Sequence, residues 1–161
     1  IFGLSRINGF NFPGRFMEID YLKSQFVDQV IGAFFFVSKN NFKNAKMFDE
    51  RFFVYYEELD FSFNLFKKFK LKNFFFSEME IIHIGEGTTK SIKEKRLFYS
   101  WSSRIKYFKK NNSHLDYISI LIITLIIEPL IRILKSLITL NFTSIIEILK
   151  SYYKLLKSFK N

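Results

Sequence analysis

The sequence predicts an α/β chain that ends in a helical tail, and three observations carry that expectation. Two short apolar runs, residues 34–37 and 74–76, are bounded by polar residues and read as strands. Two stretches, 56–70 and 97–108, repeat apolar side chains at helical spacing. Beyond residue 112 the chain becomes rich in isoleucine and leucine, again at helical spacing, with basic residues between them.

Residues 1–25 contain Gly3, Gly9, Pro13 and Gly14 and read as a loop or the tail of a preceding segment. No methionine precedes Met17 and no hydrophobic targeting segment intervenes, so the sequence reads as part of a longer chain. In residues 27–37, Val27, Val30 and Ile31 lead through Gly32 and Ala33 into three phenylalanines and a valine, an apolar run expected as a buried strand. A helix is expected over 56–70, where Leu59, Phe63, Phe66 and Phe69 recur near helical spacing and Lys67, Lys68 and Lys70 take the remaining surface. Residues 74–76 and 79–84 are β-prone and stop at Gly85 and Gly87, which places His83 near a strand end beside a flexible loop. Leu97, Trp101, Ile105 and Phe108 then mark an amphipathic helix whose other face is basic.

The tail opens with residues 118–127, which carry no charge, but Glu128, Pro129, Arg132 and Lys135 follow. Such a run falls short of the roughly 20 apolar residues a spanning helix needs. On a helical wheel Thr124, Glu128, Arg132, Lys135 and Thr139 share one side, a polar stripe on an oily helix. A last helix over 143–160 begins with a Ser144-x-x-Glu147 capping-box pattern. It places Ile145, Ile148, Leu149, Tyr152, Leu156 and Phe159 opposite Glu147, Lys150, Ser151, Lys154, Lys157 and Ser158. A basic amphipathic helix of this kind suits the surface of an anionic bilayer, so peripheral membrane contact is expected; helix packing inside a soluble protein is the alternative.

A formal net charge of +10 on 161 residues implies attraction to something anionic. Nucleic acid is not the expected partner: no reader motif accompanies the charge, and the acids between Asp49 and Asp60 would repel phosphate. The absence of cysteine excludes a disulfide framework and a thiolate metal site, and fits a reducing compartment.

Against this basic background, "FDERFFVYYEELDF" (48–61) gathers Asp49, Glu50, Glu57, Glu58 and Asp60 among aromatic side chains. Acids at a helix start are tolerated by the macrodipole and are ordinarily solvated. Carboxylates hemmed in by Phe52, Phe53, Tyr55 and Tyr56 lose water instead, and desolvation raises their pKa toward the range useful to a general base. Phe53 or Tyr55 could stack on a sugar face, although core packing is the simpler role for Phe53.

Four segments in order, "VDQVIGAFFFVSKNNF", "FDERFFVYYEELDFSFNLFKK", "EIIHIGEGTT" and "SSRIKYFKKN", resemble the carboxyl-terminal half of a family 2 glycosyltransferase of the rhamnosyltransferase-like type, over residues 27–111. The resemblance implies the carboxyl-terminal portion of a GT-A α/β fold: residues 1–112 as a partial catalytic domain on the acceptor side, followed by a hydrophobic and basic amphipathic tail, 113–161. It implies inverting transfer of a sugar from a nucleotide-sugar donor to a glycan or lipid-linked acceptor, in surface polysaccharide synthesis at the cytoplasmic face of the cell membrane. Glu58 takes the family's base position, with Glu57 and Asp60 positioning acceptor or base. Gly32, Ala33, Asp49, Glu50 and Tyr55 fall on the acceptor side, and His83 and Arg104 are candidates for donor phosphate, His83 also for metal. The implied divalent cation, Mg or Mn, would be held mostly by upstream sequence, because residues 1–26 contain no aspartate-x-aspartate motif. These residues alone are therefore not expected to turn over a nucleotide-sugar. The chain departs from the pattern at Glu58, where aspartate is usual, and at Gln29 and Asn64. The competing expectation is a noncatalytic membrane-surface module, which explains 117–161 but not the ordered motifs before it.

Overall fold

A computed structural model describes residues 20–83 and 93–159. In chain order these form β1 (Gln25–Val27), α1 (Lys39–Asn44), α2 (Glu57–Phe69), β2 (Asn73–Phe75), α3 (Lys93–Asn111), α4 (His114–Ile122), a π-helical turn (Ile123–Ile127), α5 (Glu128–Ile138) and α6 (Phe142–Ser158). The described chain is mostly helical, and its only sheet is the antiparallel pair β1–β2, with Phe26 opposite Phe74. This overturns the expected α/β GT-A portion. A parallel α/β sheet needs strands covered on both faces, whereas Phe26 and Phe74 lie exposed and stack edge to face at 5.2 Å.

The β2 strand falls within one residue of its expected place, but the first strand does not. Residues 34–37 are irregular; with no strand beside them to complete a ladder, they pack as side chains, Phe35 and Val37 against the cluster Ala45, Phe61 and Leu65. Residues 79–83 are likewise irregular and exposed, and the loop with Gly85 and Gly87 lies outside the described residues. The sequence reading missed α1, whose signal is Ser38: its Oγ accepts the Asn41 N–H at 3.2 Å as an N-cap.

The expected helix over 56–70 is α2. It ends at Lys70, which turns left-handed (φ 58°) and donates its N–H to Phe66 O at 2.9 Å. Along α3, Trp101 and Ile105 join Ile148 and Leu155 of α6 in the main core. The other face of α3 was expected to be basic. In the structure Ser102, Ser103, Arg104 and Tyr107 are buried as well, because α3 lies between the amino-terminal elements and the tail helices.

The tail differs most from expectation. Helix continues without interruption from His114 to Ile138, 25 residues, long and apolar enough to be membrane-associated. A capping box starts it: Ser113 Oγ accepts the Asp116 N–H, and Asp116 accepts the Ser113 N–H. Pro129 would ordinarily break such a helix, since it lacks the N–H that bonds residue i−4, Leu125. The π turn precedes it, and the Tyr152 hydroxyl of α6 donates to Leu125 O at 2.8 Å.

The first part of the polar stripe faces inward, whereas Arg132, Lys135 and Thr139 stay exposed. Thr124 (0% exposed), Glu128 (6%) and Ser136 are buried, while Leu115, Ile118, Ile122, Ile126, Leu130, Leu134 and Leu137, three or four residues apart, form the outer face. On α6 the buried side chains are Ile148, Ser151 and Leu155, and the outer stripe is Phe142, Ile146, Leu149, Tyr153 and Leu156. The expected division of α6 into apolar and polar faces is thus rotated: Ser151, read as solvated, is sealed in the interface and donates to Glu147 O at 2.7 Å. Nor does Ser144 cap α6; the helix starts earlier, where Asn141 Oδ1 accepts the Ser144 N–H at 3.1 Å.

Candidate functional site

The acidic cluster is presented by a tight, strained entry into α2. Tyr55 (φ 67°) and Tyr56 (φ 72°) are successive non-glycine residues in the left-handed region, a conformation that costs on the order of 1–3 kcal/mol each and persists only where surrounding contacts enforce it. One face of α3 supplies those contacts. Ser103 Oγ donates to Val54 O at 2.9 Å, Lys106 Nζ to Arg51 O at 2.9 Å, and Lys110 Nζ reaches Asp49 at 2.7 Å. Residues 103, 106 and 110 are three and four apart, so they form a single row along the helix. The Tyr56 ring also rests on Tyr107, centroids 5.5 Å apart.

Within this frame the five acids divide. Asp60, 1% exposed, accepts from Lys110 Nζ (2.6 Å), Asn111 Nδ2 (2.7 Å) and Asn64 Nδ2 (3.0 Å). It is a saturated anchor that ties α2 to the end of α3, and Asn64, where the resembling family often has arginine, is one of its donors. Asp49 is bound by Arg51 and Lys110, and the Arg51 hydrogen bonds, more than Lys110, hold its carboxyl well below the usual range. Glu50 is exposed.

Glu57 and Glu58 are different: both are half-buried, and each has an Oε2 that is buried with no hydrogen-bond donor facing it. Burial pushes the Glu57 carboxyl up, with its own backbone N–H opposing and the neighbouring Glu58 charge adding to the rise. Burial likewise raises the Tyr56 hydroxyl, opposed by Arg104 and reinforced by Glu128 and Glu58. Tyr107 is pushed up to about 12 by burial first, then by Asp60 and Tyr56. Of the two glutamates, Glu57 is the one whose burial favours uptake of a proton.

Gly32 is brought to this place. A methyl group on it would lie 3.6 Å from Glu58 Cδ, an ordinary contact, so Gly32 stands next to the Glu58 side chain with room for about one methyl between them. Ala33 is exposed beside it in the turn closed by Phe34 N–H to Ile31 O. Phe53, expected to pack inside, is exposed and stacks on Tyr99 with centroids 4.8 Å apart. His83 is exposed and takes no part in the hydrogen bonds of the acids.

Arg104 lies away from any open phosphate position. It is buried with Nη2 2.6 Å from Glu128 Oε2, while Arg132 holds the other oxygen through Nη2 (2.7 Å) and Nε (2.8 Å). Burial pushes the Glu128 carboxyl up, but the two guanidiniums outweigh it and hold the group below its ordinary value; the Trp101 indole N–H adds to this from just outside hydrogen-bonding geometry. The triad clamps α3 to α5.

Tyr55 links the acids to a cavity of about 690 Å³ enclosed by the start of α3, the end of α5 and the start of α6. Its wall carries Arg96, Arg132, Lys135 and several hydroxyls; Glu58 does not line it. Sequence reading grouped Arg132, Lys135 and Thr139 on one stripe but had no signal for Arg96 or for the enclosed space. Among the described residues no three histidine, aspartate or glutamate side chains converge to hold a metal ion, so the divalent cation that the resemblance implies has no fitted cradle here. Compared with family models, curated proteins and solved structures, the chain matches none.

Proposed function

We propose that the chain is the acceptor-handling part of a glycosyltransferase that works peripherally on the cytoplasmic face of a membrane. The observation that carries the catalytic half is the pair of under-solvated carboxylates at Glu57 and Glu58, delivered by a strained segment that α3 holds rigidly. Neither carboxylate serves the fold through Oε2, whereas Asp60 and Asp49 are fully engaged in it. Support also comes from the motif order in residues 27–111, which places Glu58 at the base position.

In this reading Glu58 accepts the proton of an acceptor hydroxyl as its oxygen attacks the anomeric carbon, help worth about 10²- to 10⁴-fold in rate. Glu57, whose affinity for protons is raised by burial, hydrogen-bonds the acceptor or passes the proton on. The exposed Phe53–Tyr99 ring pair offers a surface for a sugar face. The donor nucleotide is bound by other sequence.

The tail supplies the membrane half. Its outer apolar face is a continuous stripe of exposed side chains, the kind of patch that marks an interaction surface, and exposed Lys135 and Lys157 stand beside it for anionic headgroups. The inward face is covered by α3 and α6, so the helix lies along the bilayer surface with one side in lipid.

The test is transfer. Protein expressed from its whole reading frame, incubated with vesicles containing lipid-linked acceptors and a panel of labelled nucleotide-sugars, should move label into the lipid-extractable fraction with at least one donor. Tight vesicle binding without transfer from any donor would leave the noncatalytic membrane module as the function.

A further inference from the structure

We infer that the cavity between α3, α5 and α6 binds a carbohydrate chain, the part of the acceptor glycan beyond the sugar that reacts. The inference rests on the reading of the chain as the acceptor-handling part of a glycosyltransferase.

The groups left to a ligand on the wall are the first ground. Ser136 lines the cavity at 7% exposure, and its Oγ has no hydrogen-bond partner among the described residues; its backbone oxygen already accepts from the Asn141 N–H and from Thr139 Oγ1. Ser100 and Ser144 bring two more hydroxyls that are unpartnered among the described residues. Asn141 uses Oδ1 on the Ser144 N–H and keeps its amide N–H groups. Glu147 gives its backbone oxygen to Ser151 at 2.7 Å, and its half-buried carboxylate forms no ion pair among the described residues. Arg132, by contrast, is held by Glu128 through Nε and Nη2. Apart from exposed Lys135, the uncommitted set is neutral donors and acceptors around one carboxylate. That carboxylate repels an anion and accepts hydroxyl protons, and sugar hydroxyls both donate and accept.

The second ground is the pair of rings at the edge of this space. Phe53, 76% exposed, stacks on Tyr99, which directly precedes Ser100 of the wall; Tyr55, two residues after Phe53, is on the wall itself. Sugars have apolar C–H faces and polar rims, so flat rings beside a hydroxyl-lined space serve both. The third ground is reach. Glu58 does not line the cavity, but it is three residues on from Tyr55, so their Cα atoms lie at most about 11 Å apart. A glycan that reaches both places has at least one ring in each. The cavity, about 690 Å³, is within the range of ligand pockets, roughly 300–1,000 Å³.

The test is titration calorimetry on protein expressed from its whole reading frame, with hexasaccharides of glucose, N-acetylglucosamine and rhamnose and the three monosaccharides as probes. At least one hexasaccharide should bind saturably, about tenfold or more tighter than its monosaccharide, the equivalent of one hydrogen bond to a charged group. The double variant Ser136→Ala, Glu147→Gln, shown folded by circular dichroism, should weaken that binding about tenfold or more. Phe53→Ala, at an exposed ring, should weaken it about threefold or more and carries the test if the double variant does not fold. No saturable binding of any hexasaccharide, binding no tighter than that of the monosaccharide, or binding unchanged in the variants would overturn the inference. Cavity binding without sugar transfer from any donor would leave a glycan-binding site and remove the transferase reading. Transfer without hexasaccharide binding would do the reverse.

Discussion

Replacing Leu130 and Leu134 together by serine tests the orientation of the tail. Both lie on the outer face of α5, 62% and 58% exposed, and neither belongs to a core cluster. Complete burial of a leucine side chain is worth about 1.5–3 kcal/mol. With about six-tenths of each side chain still open, transfer to lipid gains about 1–2 kcal/mol per residue, so the pair accounts for about 2–4 kcal/mol of membrane affinity. That corresponds to a roughly 30- to 800-fold loss of partitioning. Fold stability should change by less than about 0.5 kcal/mol per site, because exposed positions contribute little. Leu155→Ser is the contrast: at 1% exposure it should destabilise by about 2–5 kcal/mol. Flotation with phosphatidylcholine and phosphatidylglycerol vesicles reads the partitioning, and urea unfolding reads the stability. Undiminished flotation of the double variant, or unfolding of it at parent-protein urea concentrations well below the midpoint, would refute the outward placement of this face.

Other expectations follow from individual contacts. Tyr152→Phe removes a hydroxyl donor to Leu125 O, whose i+4 residue Pro129 has no N–H, and should cost about 0.5–1.5 kcal/mol in urea unfolding, the net worth of a typical hydrogen bond. Glu128→Ala leaves Arg104 buried without its carboxylate and should cost about 3–5 kcal/mol, whereas the paired change Arg104→Met, Glu128→Leu should recover much of it. Two acids predict opposite pH slopes. The depressed Asp49 contributes stability that is present above the ordinary carboxylate pKa and is lost as pH falls below it, so Asp49→Asn should flatten acid unfolding. The raised Glu57 has the reverse sign: its contribution is present at low pH and lost as pH rises through its folded value, so Glu57→Gln should be at least as stable as the parent at neutral pH.

The sequence was most legible where one periodicity governs one element. The stripe Leu97, Trp101, Ile105 located α3, and the run from Glu57 to Phe69 located α2 almost to the residue. Residues 34–37 misled because aromatic β-propensity describes fit to a pleated surface, and that surface is absent; the same rings fill a core from an irregular segment just as well. The expected GT-A sheet fails for the same reason: among the described residues only β1 and β2 pair, and residues 34–37 and 79–83 have no strand beside them. In the tail, apolar spacing predicted helices with a face for the membrane but carried no sign of which polar side chains would be buried against the rest of the protein. Thr124, Glu128 and Ser151 are buried there, and of these Glu128 is held inward by Arg104, 24 residues away in sequence. For the acids, spacing could not separate Asp60 from Glu57 and Glu58. Their difference lies in Lys110 and Asn111, 50 residues away in sequence and adjacent only after folding.

The most direct measurement is the sugar-transfer rate of Glu58→Gln, in protein expressed from its whole reading frame on acceptor-bearing vesicles. Glutamine keeps the shape beneath Gly32 and removes the basic oxygen, so the rate should fall by about 10²- to 10⁴-fold with vesicle binding unchanged. Transfer at the parent rate would contradict the assignment of proton abstraction to this carboxylate.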